Sequence, residues 1–100
     1  MLNVKLEKHD KAAILHLDGR IDANNAPELE QVFLDIAQRF DEVVLDFKKV
    51  PYISSAGLRA LRILHRAMKE KEAEVAIRNV RQDVMGVFRV TGIATFFNFE

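Results

Sequence analysis

Leu2, Val4 and Leu6 alternate with polar residues at the start of the chain, the period-two pattern of a half-buried strand. Ala13, Leu15 and Leu17 repeat the pattern after the turn-like His9-Asp10-Lys11, so the two runs are expected to pair as a hairpin. The period then lengthens. Leu29, Val32, Phe33, Ile36, Ala37 and Phe40 form one stripe of an amphipathic helix, predicted from about Ala26 to Arg39, with Asn24 or Asn25 as cap and Pro27 tolerable in the first turn. Val43-Val44-Leu45-Asp46-Phe47 is a short, nearly continuous apolar run, as expected of a central strand covered on both faces, and Pro51 blocks further pairing after Lys48-Lys49-Val50.

A second helical pattern begins at Ser55. Leu58, Leu61, Leu64 and Met68 make its buried line, widened by Ala60, Ile63 and Ala67, while Arg59, Arg62, Arg66 and Lys69 lie on another face. Glu74-Val75-Ala76-Ile77-Arg78 reads as a strand, Val84, Val87, Phe88 and Thr91 mark a shorter helix that Gly92 terminates, and Phe96, Phe97 and Phe99 cap the core or add a last strand. This order predicts an α/β domain spanning residues 1–100, with a mixed sheet of four to five strands because the chain opens with a hairpin.

Composition narrows the picture. At 100 residues and 49% hydrophobic, the chain has apolar material for an ordinary core and needs no crosslink to fold. It has no Cys, so disulfides, thiolate metal sites and a cysteine nucleophile are excluded. The start MLNVKLEKHDK lacks the apolar run of a signal peptide, and no stretch approaches the ~20 apolar residues that span a bilayer, so a soluble cytoplasmic protein is expected. Fifteen basic and fifteen acidic residues cancel, leaving no global field toward nucleic acid or an anionic membrane. Locally the charge is uneven: residues 18–46 carry eight acids against two bases, and residues 47–100 carry ten bases against five acids. Such polarity suits a protein partner as well as it suits solvated faces of mixed charge.

Most routes to catalysis close. His9, His16 and His65 lack metal-ligand spacing and read as surface or packing residues. Asp18, Asp22 and Asp46 sit near predicted strand ends, where paired acids do acid–base work or, more commonly, build turns and caps. The four glycines form no phosphate-binding loop, so no nucleotide cofactor is expected.

Tyr52-Ile53-Ser54-Ser55-Ala56-Gly57-Leu58 places two hydroxyls between a buried strand and a helix N-terminus, where unpaired N–H groups and the dipole favour negative charge. In structural terms Ser54 or Ser55 is an N-cap, and Gly57 lets the helix approach its strand closely. A nucleophile elbow also joins strand to helix through a serine, but with Ser55 as nucleophile its first glycine position is Ile53. A small serine hydrolase is therefore a poor second reading. Nucleic-acid binding through Arg59, Arg62 and Arg66 ranks lower, since no stacking aromatic accompanies them in sequence.

Taken together, Val44-Leu45-Asp46-Phe47-Lys48-Lys49-Val50-Pro51-Tyr52-Ile53-Ser54-Ser55-Ala56-Gly57-Leu58 resembles the signature of STAS domains, especially the bacterial anti-sigma factor antagonists. Leu17-Asp18-Gly19-Arg20-Ile21-Asp22 and Val90-Thr91-Gly92-Ile93 extend the resemblance over nearly the whole chain. It implies a STAS-like fold, with helices packed mainly on one face of the sheet, and no enzymatic activity. By position Ser55 matches the family's phosphorylated serine, Ala56 the small residue after it, Gly57 the glycine, and Asp22 an acid near the phosphorylation site, whereas Ser54 stands where the family usually has Asp. The implied partners are an anti-sigma factor that is also a serine-protein kinase, and a serine phosphatase; ATP and magnesium belong to the kinase, leaving this chain without a cofactor. The unphosphorylated form would bind the anti-sigma factor and release sigma factor, and phosphate on Ser55 would end binding. Asp22, Asn24, Ser54, Ser55, Ala56, Gly57 and Arg59 form the expected contact patch of a monomer that binds neither nucleic acid nor membrane. A STAS scaffold or adaptor in a signalling or transport complex, with Ser55 only a cap, is the alternative. With its end soon after Phe99, the chain is expected to lack part of the family's final helix.

Overall fold

A computed structural model describes residues 2–100. The elements run β1 (Asn3–His9), β2 (Ala12–Asp18), α1 (Ala26–Arg39), β3 (Glu42–Lys49), α2 (Ser55–Glu70), β4 (Glu74–Arg78), α3 (Gln82–Thr91), a 3₁₀ turn (Ile93–Thr95) and β5 (Asn98–Phe99). The predicted hairpin forms, with Leu6 opposite Leu15 and Val4 opposite Leu17, and Asp10 takes the positive φ of 55° that its tight turn requires. The remaining strands add in chain order as parallel neighbours, giving a mixed sheet β1-β2-β3-β4-β5. Because each crossover helix steps the chain one strand further in the same direction, the common right-handed connection puts all three helices on one face.

Register explains the core. Ala13, Val43 and Val75 lie side by side, as do Leu15, Leu45 and Ile77, and all point beneath the helices, where they meet Leu29, Phe33 and Ile36 of α1 and Leu61, Leu64 and Met68 of α2. Phe47 meets Phe88 of α3 edge to face, with ring centroids 5.7 Å apart. Gly92 ends α3 in the left-handed conformation, φ 81°, as a glycine C-cap does. Of the final aromatics Phe97 is buried and Asn98–Phe99 forms the short β5, whereas Phe96 lies exposed after the 3₁₀ turn rather than capping the core.

Three further expectations change. The run Val43–Phe47 is covered on one face only, because all helices pack on the other side; Asp46 faces the open side and is kept to 8% exposure by polar neighbours rather than by a second layer. It accepts hydrogen bonds from the Lys48 backbone N–H (2.9 Å), Asn79 Nδ2 (3.2 Å) and Arg78 Nε (3.3 Å), with His16 Nδ1 at 3.5 Å. Burial pushes its carboxyl up, but these donors and the Arg78 charge outweigh that and hold it below its ordinary value. On β1 the inward row is only partly covered, with Val4 exposed at the sheet edge. On α3 only Val84 and Phe88 are buried, while Val87 and Thr91 face outward because a helix this short presents one narrow stripe to the core.

Candidate functional site

Two strand-to-helix junctions lie side by side at the C-terminal ends of the parallel neighbours β2 and β3. After β2 the chain runs through Gly19–Asn25 to α1; after β3 it runs through Val50–Ser54 to α2. The Gly19 N–H donates to Lys49 O (2.9 Å), Ile21 N–H to Tyr52 O (3.0 Å), and Ser54 N–H to Ile21 O (2.9 Å). Ile21 and Ile53 thereby form a one-residue parallel bridge beyond the regular strands, and both side chains are buried beneath the start of α2. The bridge continues β2–β3 pairing past the polar turns, and it fixes Asp22 and Ser54, the next residue on each strand, as neighbours.

The first junction is closed upon itself. Asp22 Oδ1 accepts from the backbone N–H groups of Asn24 (3.0 Å) and Asn25 (3.2 Å), while Asn25 Oδ1 accepts from the Asp22 N–H (3.0 Å) and Asn25 Nδ2 donates to Arg20 O (2.8 Å). Asn25 thus holds the N-cap position of α1 without capping it: its side chain turns back into the loop. Asp22 is used as a turn builder, the structural role expected of acids at strand ends, and Asn24 is exposed beside it. Across the bridge Arg20 lies over the Tyr52 ring at 4.3 Å, joining the rims of the two junctions.

The second junction is open. Ser54 is the N-cap of α2 and its Oγ accepts from the Gly57 N–H at 3.2 Å. Ser55 is the first helical residue, exposed, and its hydroxyl hydrogen-bonds no described residue. The choice between the two serines follows from Gly57: a Cβ there would lie 2.6 Å from Ile21 Cγ2 and 2.7 Å from Ile53 Cγ1, so only glycine lets the first turn rest on the bridge. With Gly57 turned inward, Ser55 is turned out. Ala56 is half-buried between them. Arg59, one turn after Ser55 and 80% exposed, reaches Glu30 of α1 only at 3.9 Å.

All seven expected contact residues therefore lie on these two junctions or the first turns of α2, whereas Asp22 is spent on its own turn and Asp46 on Lys48, Arg78 and Asn79. Among the described residues no group of His, Cys, Asp or Glu is arranged to hold a metal ion. His9 and His16 both bond Glu7 on the open face, and His65 packs on Phe96 and Phe97, so the histidines take surface and packing roles. Sequence reading missed the Ile21–Ile53 bridge, although Ile21, standing alone among polar residues of the first junction, was a visible signal. It also missed Phe96, whose ring lies 5.5 Å from the Arg62 guanidinium; an aromatic does accompany those arginines, brought there by the fold.

Residues 3–100 match the family model described as STAS domain. The chain belongs to the STAS domain family. Among its relatives is BtrV of Bordetella bronchiseptica, provisionally named an anti-sigma factor antagonist, 29% identical over 100 residues that cover 96% of this chain and 84% of BtrV. The fold is also that of the anti-sigma factor antagonist SpoIIAA solved in its unphosphorylated form, with a TM-score of 0.85 at 14% identity over 98% of this STAS domain and 88% of that chain. SpoIIAA of Bacillus in its phosphorylated form superposes with a TM-score of 0.77 at 13% identity, covering 98% and 91% of the two chains. No helix among the described residues is long and apolar enough to cross a membrane.

Proposed function

We propose that this STAS domain is an anti-sigma factor antagonist whose unmodified form captures an anti-sigma factor that is also a serine kinase, and that phosphorylation of Ser55 ends the capture. The observation that carries this reading is the division of labour between the two serines: Ser54 supplies the cap, leaving the Ser55 hydroxyl exposed and unbonded at the head of α2. The names of BtrV and SpoIIAA, and the existence of SpoIIAA in two phosphorylation states, support it.

The switch follows from charge. A phosphate on Ser55 adds about −1.5 to −2 charge at a helix N-terminus whose first N–H groups are unpaired, and Arg59 one turn away has only a distant Glu30 to leave. The fold tolerates the group because it projects into solvent. A partner shaped for a neutral hydroxyl meets a hydrated dianion instead, and a loss of ~3 kcal/mol weakens binding more than a hundredfold. Asp22, Asn24, Ser54, Ala56 and Arg59 complete the contact patch around Ser55, whereas Gly57, expected in that patch, is buried against Ile21 and Ile53 and serves it from beneath. In this reading residues 1–100 act as one cytoplasmic STAS domain, a monomer and the kinase's protein substrate. The domain serves in this reading as a binding partner and substrate, and no described side chain hydrogen-bonds Ser55 Oγ as the base of a hydrolase would. A serine phosphatase restores the active form.

Intact-mass analysis with ATP, magnesium and the anti-sigma kinases encoded near its gene tests the reading. One phosphate on the wild type and none on Ser55→Ala is expected. No phosphate, with partner binding equal in both proteins, overturns it in favour of a scaffold.

A further inference from the structure

Ser55, Arg59, Arg62 and Arg66 follow one another at helical spacings of four, three and four, so they line one stripe of α2 about 16 Å long. The stripe forms one wall of an open groove of about 550 Å³, whose other residues include Leu58 and Ile63 of α2 and Thr91 and Ile93 at the end of α3. Two apolar side chains near its lining residues in sequence are exposed: Val90 is 89% exposed, and Phe96 is 40% exposed with Arg62 and His65 against its ring.

The charge of this groove is unbalanced. Among the described residues Arg62 and Arg66 pair with no acid, and Arg59 meets Glu30 only at 3.9 Å. Asp22 and Asp46 are spent elsewhere, on the β2–α1 junction and the open face of the sheet. His65 on the same helix registers the excess, since burial first, and then the charges of Lys69 and Arg62, hold its imidazole below the ordinary value.

We infer that the groove between α2 and α3 is a docking surface for an acidic amphipathic helix of the protein partner, seated with its apolar side toward half-buried Leu58 and Ile63 and its carboxylates along Arg59, Arg62 and Arg66. Charge complementarity selects the acid, and the half-exposed side chains of Leu58 and Ile63 beside the arginines select a segment with one apolar side. Nucleic acid fits less well, because Phe96 is a single aromatic beside these arginines and the chain has no net charge. The inference rests on the reading of Ser55 in one respect: a phosphate there stands at the head of the groove, where it competes for Arg59 and repels the incoming acids.

The test is a titration of the isotope-labelled full chain, followed by amide resonances, with four additions in turn: the cognate anti-sigma kinase, a four-turn peptide with Glu along one side and Leu along the other, oligothymidylate, and vesicles containing phosphatidylglycerol. Saturable shifts at Arg62, Arg66, Thr91 and Ile93 are expected with the kinase and the peptide. Arg62→Glu with Arg66→Glu should weaken both roughly tenfold or more, while Arg62→Lys with Arg66→Lys, which keeps the charge and guards against misfolding, should retain most of the affinity. Responses confined to oligothymidylate or vesicles overturn the inference, as do groove resonances and affinities unmoved by kinase and peptide. Should the kinase neither bind nor modify Ser55, the switch reading fails by itself and the peptide arm still decides the groove.

Discussion

The β2–α1 and β3–α2 junctions start from the same geometry and end in opposite chemistry. Each leaves a parallel strand, contributes one isoleucine to the Ile21–Ile53 bridge, and opens a helix. At the first, Asp22, Asn25 and backbone groups consume one another's hydrogen bonds, and Pro27 removes a first-turn donor that would otherwise need a partner. At the second, one serine caps while its neighbour is left with an unbonded hydroxyl. The contrast shows how a fold presents a modifiable group without weakening itself: a closed junction buttresses an open one through a buried bridge, and the stability of both is set below the surface that a partner reads.

The largest break in that contrast is expected at Gly57. Gly57→Ala gains helix propensity but drives a methyl into Ile21 and Ile53, and overpacking of this kind costs about 1–3 kcal/mol. Urea melts should show the loss, and thermal melts a fall of roughly 4–8 °C per kcal/mol for a domain this size. A fully stable Gly57→Ala would mean that the bridge does not set the height of α2. Next comes Asp22→Ala, which removes the acceptor of two loop N–H groups and should cost about 1–2 kcal/mol, read by chemical denaturation together with amide shifts at Asn24 and Asn25.

Ser54→Ala should cost about 1 kcal/mol through loss of the cap, whereas Ser54→Asp restores an acceptor, places a carboxylate at a helix N-terminus and should match or exceed the wild type. Equal stability of Ser54→Ala and wild type would sink the assignment of the cap. The smallest effect belongs to Ser55→Ala, expected within about 0.5 kcal/mol of wild type because its hydroxyl holds nothing in the fold. That near-silence in a melt, beside a complete loss of phosphate acceptance, is what separates the open junction from the closed one.

Much of this was legible in the chain. The bounds of α1 follow from its apolar stripe and Pro27, β4 from five residues of strand character, and the need for a small residue at Gly57 from its place in the first turn of α2. Which serine caps was not legible, because the answer depends on how α2 rests on Ile21, a contact between distant parts of the chain. The open face was hidden for a related reason. Asp46 sits inside an apolar run, and the partners that make its burial tolerable, Arg78 and Asn79, lie 32 and 33 residues away. Phe96 reached Arg62 only through the turn after α3, which no local periodicity encodes.

Calorimetric affinity of the anti-sigma kinase for unmodified and Ser55-phosphorylated protein tests the central claim most directly. The account predicts tight binding of the unmodified chain and a loss exceeding roughly a hundredfold on phosphorylation, with the fold and the melting temperature little changed. Equal affinities for the two forms would contradict it and leave Ser55 as an exposed helix residue on a constitutive scaffold.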